Sequence, residues 1–188
     1  AAHGVDALSN DPNRNLLGDG VTVGMGDDSD PYTHVDFTGR QIDRFAFVSG
    51  FHGVHTSGTV AGGGILDPLY RGMAPHATII SQYFSDVLAN SEVYIGDYNM
   101  VLTNNSYTAY DPGCVSEGEY DFLSYYLDAQ LDANPTLLHV FAAGNDGRLN
   151  CTPYGFPFAT IKSGYQCAKN VLTVGNLDNG TYTIYPGS

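Results

Sequence analysis

Six short apolar runs recur along the chain, several of them ending on Gly or Asn: VTVGMG (21–26), RFAFV (44–48), TIISQYF (78–84), NMVLTNNS (99–106), LLHVFAAG (137–144) and NVLTVGN (170–176). Runs this short, apolar without strict alternation, are what strands buried on both faces look like. Between them lie segments with helical spacing. The clearest is EGEYDFLSYYLDAQLDAN (117–134), where Tyr120, Leu123, Leu127 and Leu131 fall on one stripe and Pro135 closes the segment. Residues 52–62 form a second helix candidate and 86–97 a third. Alternation of this kind predicts an α/β fold, a parallel sheet flanked by helices on both faces. No internal repeat, low-complexity tract or linker interrupts it, so residues 1–188 read as one domain.

Composition narrows the function classes. The 23 glycines and the 43% hydrophobic fraction suit a globular α/β protein with many tight connections. Seven basic against 20 acidic residues give a net charge of −13. That excludes the basic footprint a nucleic-acid partner requires and argues equally against anionic membrane surfaces. No apolar run approaches the roughly 20 residues of a transmembrane helix. The opening AAHGVDALSN reads as a mature, processed end. Cys114, Cys151 and Cys167 sit in loop-like contexts and suit one disulfide in a secreted or cell-surface protein.

Parallel sheets place their working residues at the carboxyl ends of strands. The first run leads into Asp27, Asp28, Ser29 and Asp30, the fourth into Asn104, Asn105 and Ser106, and the fifth into Gly144, Asn145 and Asp146. The stretch GFHGVHTSGTVAGG adds two histidines, His52 and His55. A helix starting near His52 puts that ring at its N-terminal end. His55 then lies roughly 300° further round, so the two need not converge. No Cys or further acid has zinc-ligand spacing with them, and the Glu of H-E-x-x-H is missing. His55 is expected to pack or hydrogen-bond structurally. Ser57, Gly58, Ala61 and Gly62 would let such a helix approach the sheet closely. Taken singly, Asp27 also suits a turn or N-cap, and Asn145 a turn or C-cap. GDGVTVGMG is glycine-rich but lacks the G-x-G-x-x-G spacing of a nucleotide site.

In order along the chain, VTVGMGDDSDPYTHVDF resembles the aspartate segment of the subtilisin-like serine proteases, HGVHTSGTVAG their H-G-T-H-x-A-G-T motif, and GMAPHATI the G-V-A-P segment that follows. VLTNNSY is similar to the strand lining the family's substrate groove, HVFAAGNDG to the segment with the oxyanion asparagine, and KNVLTVGNLD to the next strand. The resemblance implies a subtilisin-like α/β domain and a serine endopeptidase using an Asp-His-Ser triad. It assigns Asp27 as the triad acid, His52 as the general base and Asn145 as the oxyanion donor. Ser106, Tyr107, Thr108, Ala143 and Gly144 would bind an extended peptide or protein substrate. The chemistry requires no cofactor. Asp36 matches a position that often holds structural calcium in the family, with a solvated loop acid as the alternative.

Three departures stand out. Asp27-Asp28-Ser29 replaces the family's D-S-G or D-T-G, and the extra charge at Asp28 is expected to act on His52. Val54 replaces the Thr after H-G. No serine of the chain sits in a G-T-S-M-A-type motif. The resemblance therefore implies that residues 1–188 are the N-terminal portion of one peptidase domain, incomplete without a C-terminal chain that carries the serine. The alternative is an inactive, protease-like peptide-binding domain. Loops at adjacent strand ends favour a Cys114–Cys151 bridge with Cys167 free, Cys151–Cys167 being the rival.

Overall fold

A computed structural model of the chain describes residues 4–109, 114, 117–148, 150, 152, 161–185 and 187. The fold is α/β, with helices between parallel strands, as the alternation predicts. The chain divides into two compact units, residues 1–104 and 105–188.

After a short helix α1 (Val5–Ser9), the first unit holds β1 (Thr22–Asp27), β2 (Gln41–Asp43), α2 (His52–Ala61), β3 (Thr78–Tyr83), α3 (Asp86–Ala89), α4 (Ser91–Tyr98) and β4 (Met100–Asn105). Its strands run in the order β2-β3-β1-β4. β1 and β3 pair in parallel from Thr22 beside Thr78 to Asp27 beside Tyr83. β1 is buried along its whole length, which explains its unalternating sequence. Val23 and Met25 pack with Ala61 of α2, Phe37, Ala77 and Ile79. Gly24 faces the other way, where a Cβ would stand 2.7 Å from Met100 Sδ and 2.8 Å from Val87 Cγ2 of α3. Helices thus cover both faces of β1.

Two expected elements of this unit fall elsewhere. The strand expected at 44–48 is instead Gln41–Asp43. Asp43 Oδ1 accepts the Phe45 N–H at 2.8 Å, turning the chain out of the ladder. The rings of Phe45 and Phe47 then pack on Tyr83, with centroids 6.4 and 4.9 Å away. The helix expected at 86–97 is broken into α3 and α4 at Asn90, whose Nδ2 donates to Asp86 O at 2.8 Å.

The second unit holds α5 (Phe122–Ala133), β5 (Leu138–Ala142) and β6 (Leu172–Val174), with a 3-10 turn at Gly164–Cys167. β5 and β6 pair in parallel, Val140 beside Leu172. α5 starts later than its apolar stripe suggests, because Asp121 accepts the Leu123 and Ser124 N–H groups at 2.8 and 3.1 Å. Tyr120 therefore lies outside the helix, its hydroxyl donating to Asp128 Oδ2 at 2.7 Å. The buried stripe is Ser124, Leu127, Asp128 and Leu131. Ser124 Oγ donates to Gly164 O at 2.6 Å, and Asp128 Oδ1 accepts the Asn170 N–H at 2.8 Å, fastening the turn and the approach to β6. The Phe141 and Tyr165 rings stack with centroids 5.5 Å apart. Among the described residues, no helix is long and apolar enough to cross a membrane.

Candidate active site

β1 delivers Asp27 at its carboxyl end, and α2 opens on His52. His52 Nδ1 lies 2.8 Å from Asp27 Oδ1 and 3.0 Å from Oδ2. The carboxylate is 2% exposed and the imidazole 52%. A buried carboxylate facing Nδ1 fixes the proton there and leaves Nε2 as the acceptor. Asp27 is further held by the Thr56 hydroxyl, which donates to Oδ2 at 2.9 Å, and by the Asp28 N–H, which donates to Oδ1 at 2.8 Å. With its oxygens so engaged, the carboxylate has little freedom to rotate away from the ring.

The sequence reading missed Thr56. Its signal was the spacing: four residues after His52 places it on the same helical face. Asp28 was read as extra charge near His52, but its carboxylate has a local task. Its Oδ1 accepts the Gly53 N–H at 2.9 Å and the Ser29 hydroxyl at 2.7 Å. Burial acts to raise the Asp28 pKa, yet these hydrogen bonds and the nearby His52 hold it below the usual value. His55, expected to pack or hydrogen-bond, is exposed and borders an outer cleft with Gly58, Thr59, Tyr70, Arg71 and Met73.

In the second unit, Ser106, Tyr107, Thr108, Gly144 and Asn145 line one cleft of about 260 Å³, together with Ala142, Asp146 and Lys162. Asn145 is exposed. Ala143 is directed elsewhere: its N–H donates to Val174 O at 2.9 Å, its carbonyl accepts the Lys162 N–H at 3.0 Å, and it borders an apolar cleft with Leu172 and Leu177. Lys162 is buried, pairing with Glu117 at 3.2 Å and with Asp146. This buried ammonium ties down the residue that follows Asn145.

The surroundings of Asp36 do not fit a calcium ion. Its carboxylate oxygens accept the Gly64 and Ile65 N–H groups, each at 3.0 Å. The carbonyl oxygens of Asp36, Ala61 and Ala77, a donor set that suits a hard cation, accept instead from the Arg40 guanidinium. Among the described residues no cluster of three or more His, Cys, Asp or Glu could hold a metal. Cys114 is disulfide-bonded and Cys167 is a free thiol whose pKa burial raises. Cys151 lies outside the described residues.

Fold and pair together define an α/β protein of parallel strands with a carboxylate–imidazole pair at the carboxyl end of β1. The chain belongs to the subtilase family, whose sequence model matches residues 18–188. Among solved structures it is similar to the prenylagaramide maturation protease PagA, with a TM-score of 0.64 and 22% identity over 98% of this chain and 62% of that one. It is also similar to the Clostridium perfringens CspB protease (TM-score 0.60, 22% identity, 78% of this chain and 40% of that one). A cold-adapted subtilisin-like serine proteinase is similar at TM-score 0.55 and 19% identity, over 94% of this chain and 64% of that one. At these identities the likeness shows the fold. The chain spans between 40% and 64% of the length of these structures. No curated protein matches it.

Proposed function

We propose that the chain supplies the acid, the base and the oxyanion donor of a serine endopeptidase. The nucleophilic serine comes from a C-terminal chain of the same protease. His52 Nε2 accepts the serine proton as the hydroxyl attacks the peptide carbonyl. Asp27 keeps Nδ1 protonated and stabilises the imidazolium that forms. His52 then returns the proton to the leaving amine, and water repeats the cycle on the acyl-enzyme. The Asn145 amide donates to the developing oxyanion; loss of such a donor in subtilisin costs about 2.7–4 kcal/mol. The substrate is an extended peptide laid along Ser106 to Thr108 and flanked by Ala143 and Gly144. No cofactor takes part, and the setting is secreted or cell-surface, with a Cys114–Cys151 bridge.

The observation that carries this reading is the buried Asp27 carboxylate 2.8 Å from Nδ1 of a half-exposed imidazole. The test is fluorophosphonate labelling of the purified protein followed by denaturing mass spectrometry. The label is expected on a serine of a second polypeptide that copurifies with this one. His52→Ala should slow labelling by roughly 10⁶-fold. A lone 188-residue species that folds and takes no label overturns the reading and favours a protease-like domain that binds peptides without cutting them.

A further inference from the structure

Helix α2 contains no Asp, Glu, Lys or Arg. Its sequence, HGVHTSGTVA, places no acid in the first turn and no base in the last, and Phe51 at the N-cap offers no side-chain hydrogen bond. A helix end without such partners leaves backbone N–H and C=O groups unsatisfied, and its terminal turn frays. His52 sits in that first turn.

Both ends of α2 are served by charged side chains from other segments of the first unit. At the N-terminus, Asp28 Oδ1 accepts the Gly53 N–H at 2.9 Å. Gly50 makes room for that carboxylate, since a Cβ there would stand 1.9 Å from Asp28 Oδ2. The Asp28 N–H meanwhile donates to Asp27 Oδ1 at 2.8 Å, so one residue touches both the triad acid and the helix that bears the base. At the C-terminus, Arg40 Nη2 donates to Ala61 O at 3.0 Å, a carbonyl in the last turn. The guanidinium is anchored by Asp36 O and Ala77 O and lies 5.8 Å from the centre of the Phe37 ring. An anion at the N-terminus and a cation at the C-terminus both match the helix dipole.

We propose that Asp28 and Arg40 are positioning residues that clamp the two ends of α2 and thereby hold His52 Nδ1 against Asp27. The clamp rests on the Asp27–His52 pair being the working pair of the proposed protease. The two ends are not equivalent. Asp28 caps the turn that contains His52, so its loss reaches the ring directly. Arg40 acts at the far end and has the smaller effect on His52. Capping needs an acceptor oxygen rather than a charge, so Asn serves at position 28 nearly as well as Asp.

The test is nitrogen-15 NMR of the histidine rings and backbone amides of this chain, isotope-labelled within the purified protease together with its C-terminal chain. The wild type is expected to show a low-field Nδ1–H signal for His52, slowed in exchange by Asp27. Asp28→Ala should lose that signal and speed Gly53 amide exchange roughly five- to tenfold. Asp28→Asn should restore both, and Arg40→Met should leave the His52 signal in place with faster exchange. An Asp28→Ala protein that keeps the wild-type signal overturns the clamp. A folded Asp28→Asn protein that loses the signal also overturns it, and that variant decides the matter if Asp28→Ala fails to fold. A wild type with no such signal overturns the Asp27–His52 reading instead; the clamp is then judged on Gly53, whose unchanged exchange in Asp28→Ala would sink it.

Discussion

Helices α5 and α2 solve the same problem in opposite ways. α5 carries its own ends. Asp121 and Ser124 form a capping box, and Asn134 Nδ2 donates to Gln130 O at 2.9 Å near the close. Leu127 and Leu131 give it an apolar face. α2 brings almost none of this. Its N-terminal cap comes from 25 residues upstream and its C-terminal one from 21 upstream. What seats it is the smallness of its buried residues, Gly53, Ser57 and Ala61. A helix specified by its own residues can form early and tolerate change. A helix specified by distant ones holds its histidine only once β1 and the Arg40 segment are in place.

The sharpest way to break that comparison is Gly53→Ala. A Cβ at Gly53 would stand 1.8 Å from Ser29 O and 3.0 Å from the Asp27 Cβ. A backbone carbonyl cannot swing aside as a side-chain tip can, so the whole first turn must lift off β1. The expected cost is more than about 4 kcal/mol, enough to unfold many domains. Urea unfolding measures it. A variant that melts within about 2 °C of the wild type would show that α2 is not seated this way.

The second unit has its own long-range dependence, and it responds to acid. His139 of β5 is fully buried, and its Nε2 lies 2.9 Å from Gln130 Oε1 of α5. Burial lowers its pKa from 6.5 to about 4. Above the unfolded value both states hold it neutral, so its contribution is fully present. As pH falls toward 4, only the unfolded chain takes up the proton, and stability is lost. The loss is on the order of 3 kcal/mol by pH 4 and does not grow below it. Unfolding midpoints at pH 7 and pH 4.5, compared with those of His139→Gln, isolate this residue from the carboxylates. A variant with the wild-type acid sensitivity would remove His139 from the account.

What the sequence disclosed follows the same division. Buried strands and the Leu127 and Leu131 part of the α5 stripe are local patterns, and they were legible. The pairing of Asp27 with His52 was legible through the order of the motifs. RFAFV was misplaced because its aromatic residues pack on Tyr83 rather than enter the ladder, a choice only the Asp43 turn and the tertiary surroundings make. Asp28 was legible as a departure but not as a cap, because a hydrogen bond across 25 residues leaves no periodic trace. Asp36 was read for calcium because the guanidinium that answers the neighbouring carbonyls belongs to Arg40, which no spacing rule links to Ala61 or Ala77.

Local specification predicts a modest and self-contained cost at α5. Asp121→Ala removes the acceptor for the Leu123 and Ser124 N–H groups and should cost about 1 kcal/mol. Because α2 lies in the other unit and takes its caps elsewhere, the His52 ring signal should not move. Chemical denaturation together with the histidine spectrum checks both halves. A His52 signal disturbed by Asp121→Ala would mean that the two helices are not separately specified.

The smallest expected effect has the opposite sign and refines the account of how α2 sits. The run Ser57, Gly58, Ala61, Gly62 suggested that every small residue serves close approach to the sheet. Ser57 and Ala61 do, each 0% exposed. Gly58 does not, since a Cβ built there meets nothing within 4 Å. It therefore carries the backbone freedom of glycine into a helix interior with no packing gain to offset it. Gly58→Ala should stabilise the protein by about 0.5–1 kcal/mol. The gain should appear as a higher urea midpoint with an unchanged slope, and His52 should keep its ring signal. A loss of stability would mean that Gly58 faces a close neighbour as Gly53 does.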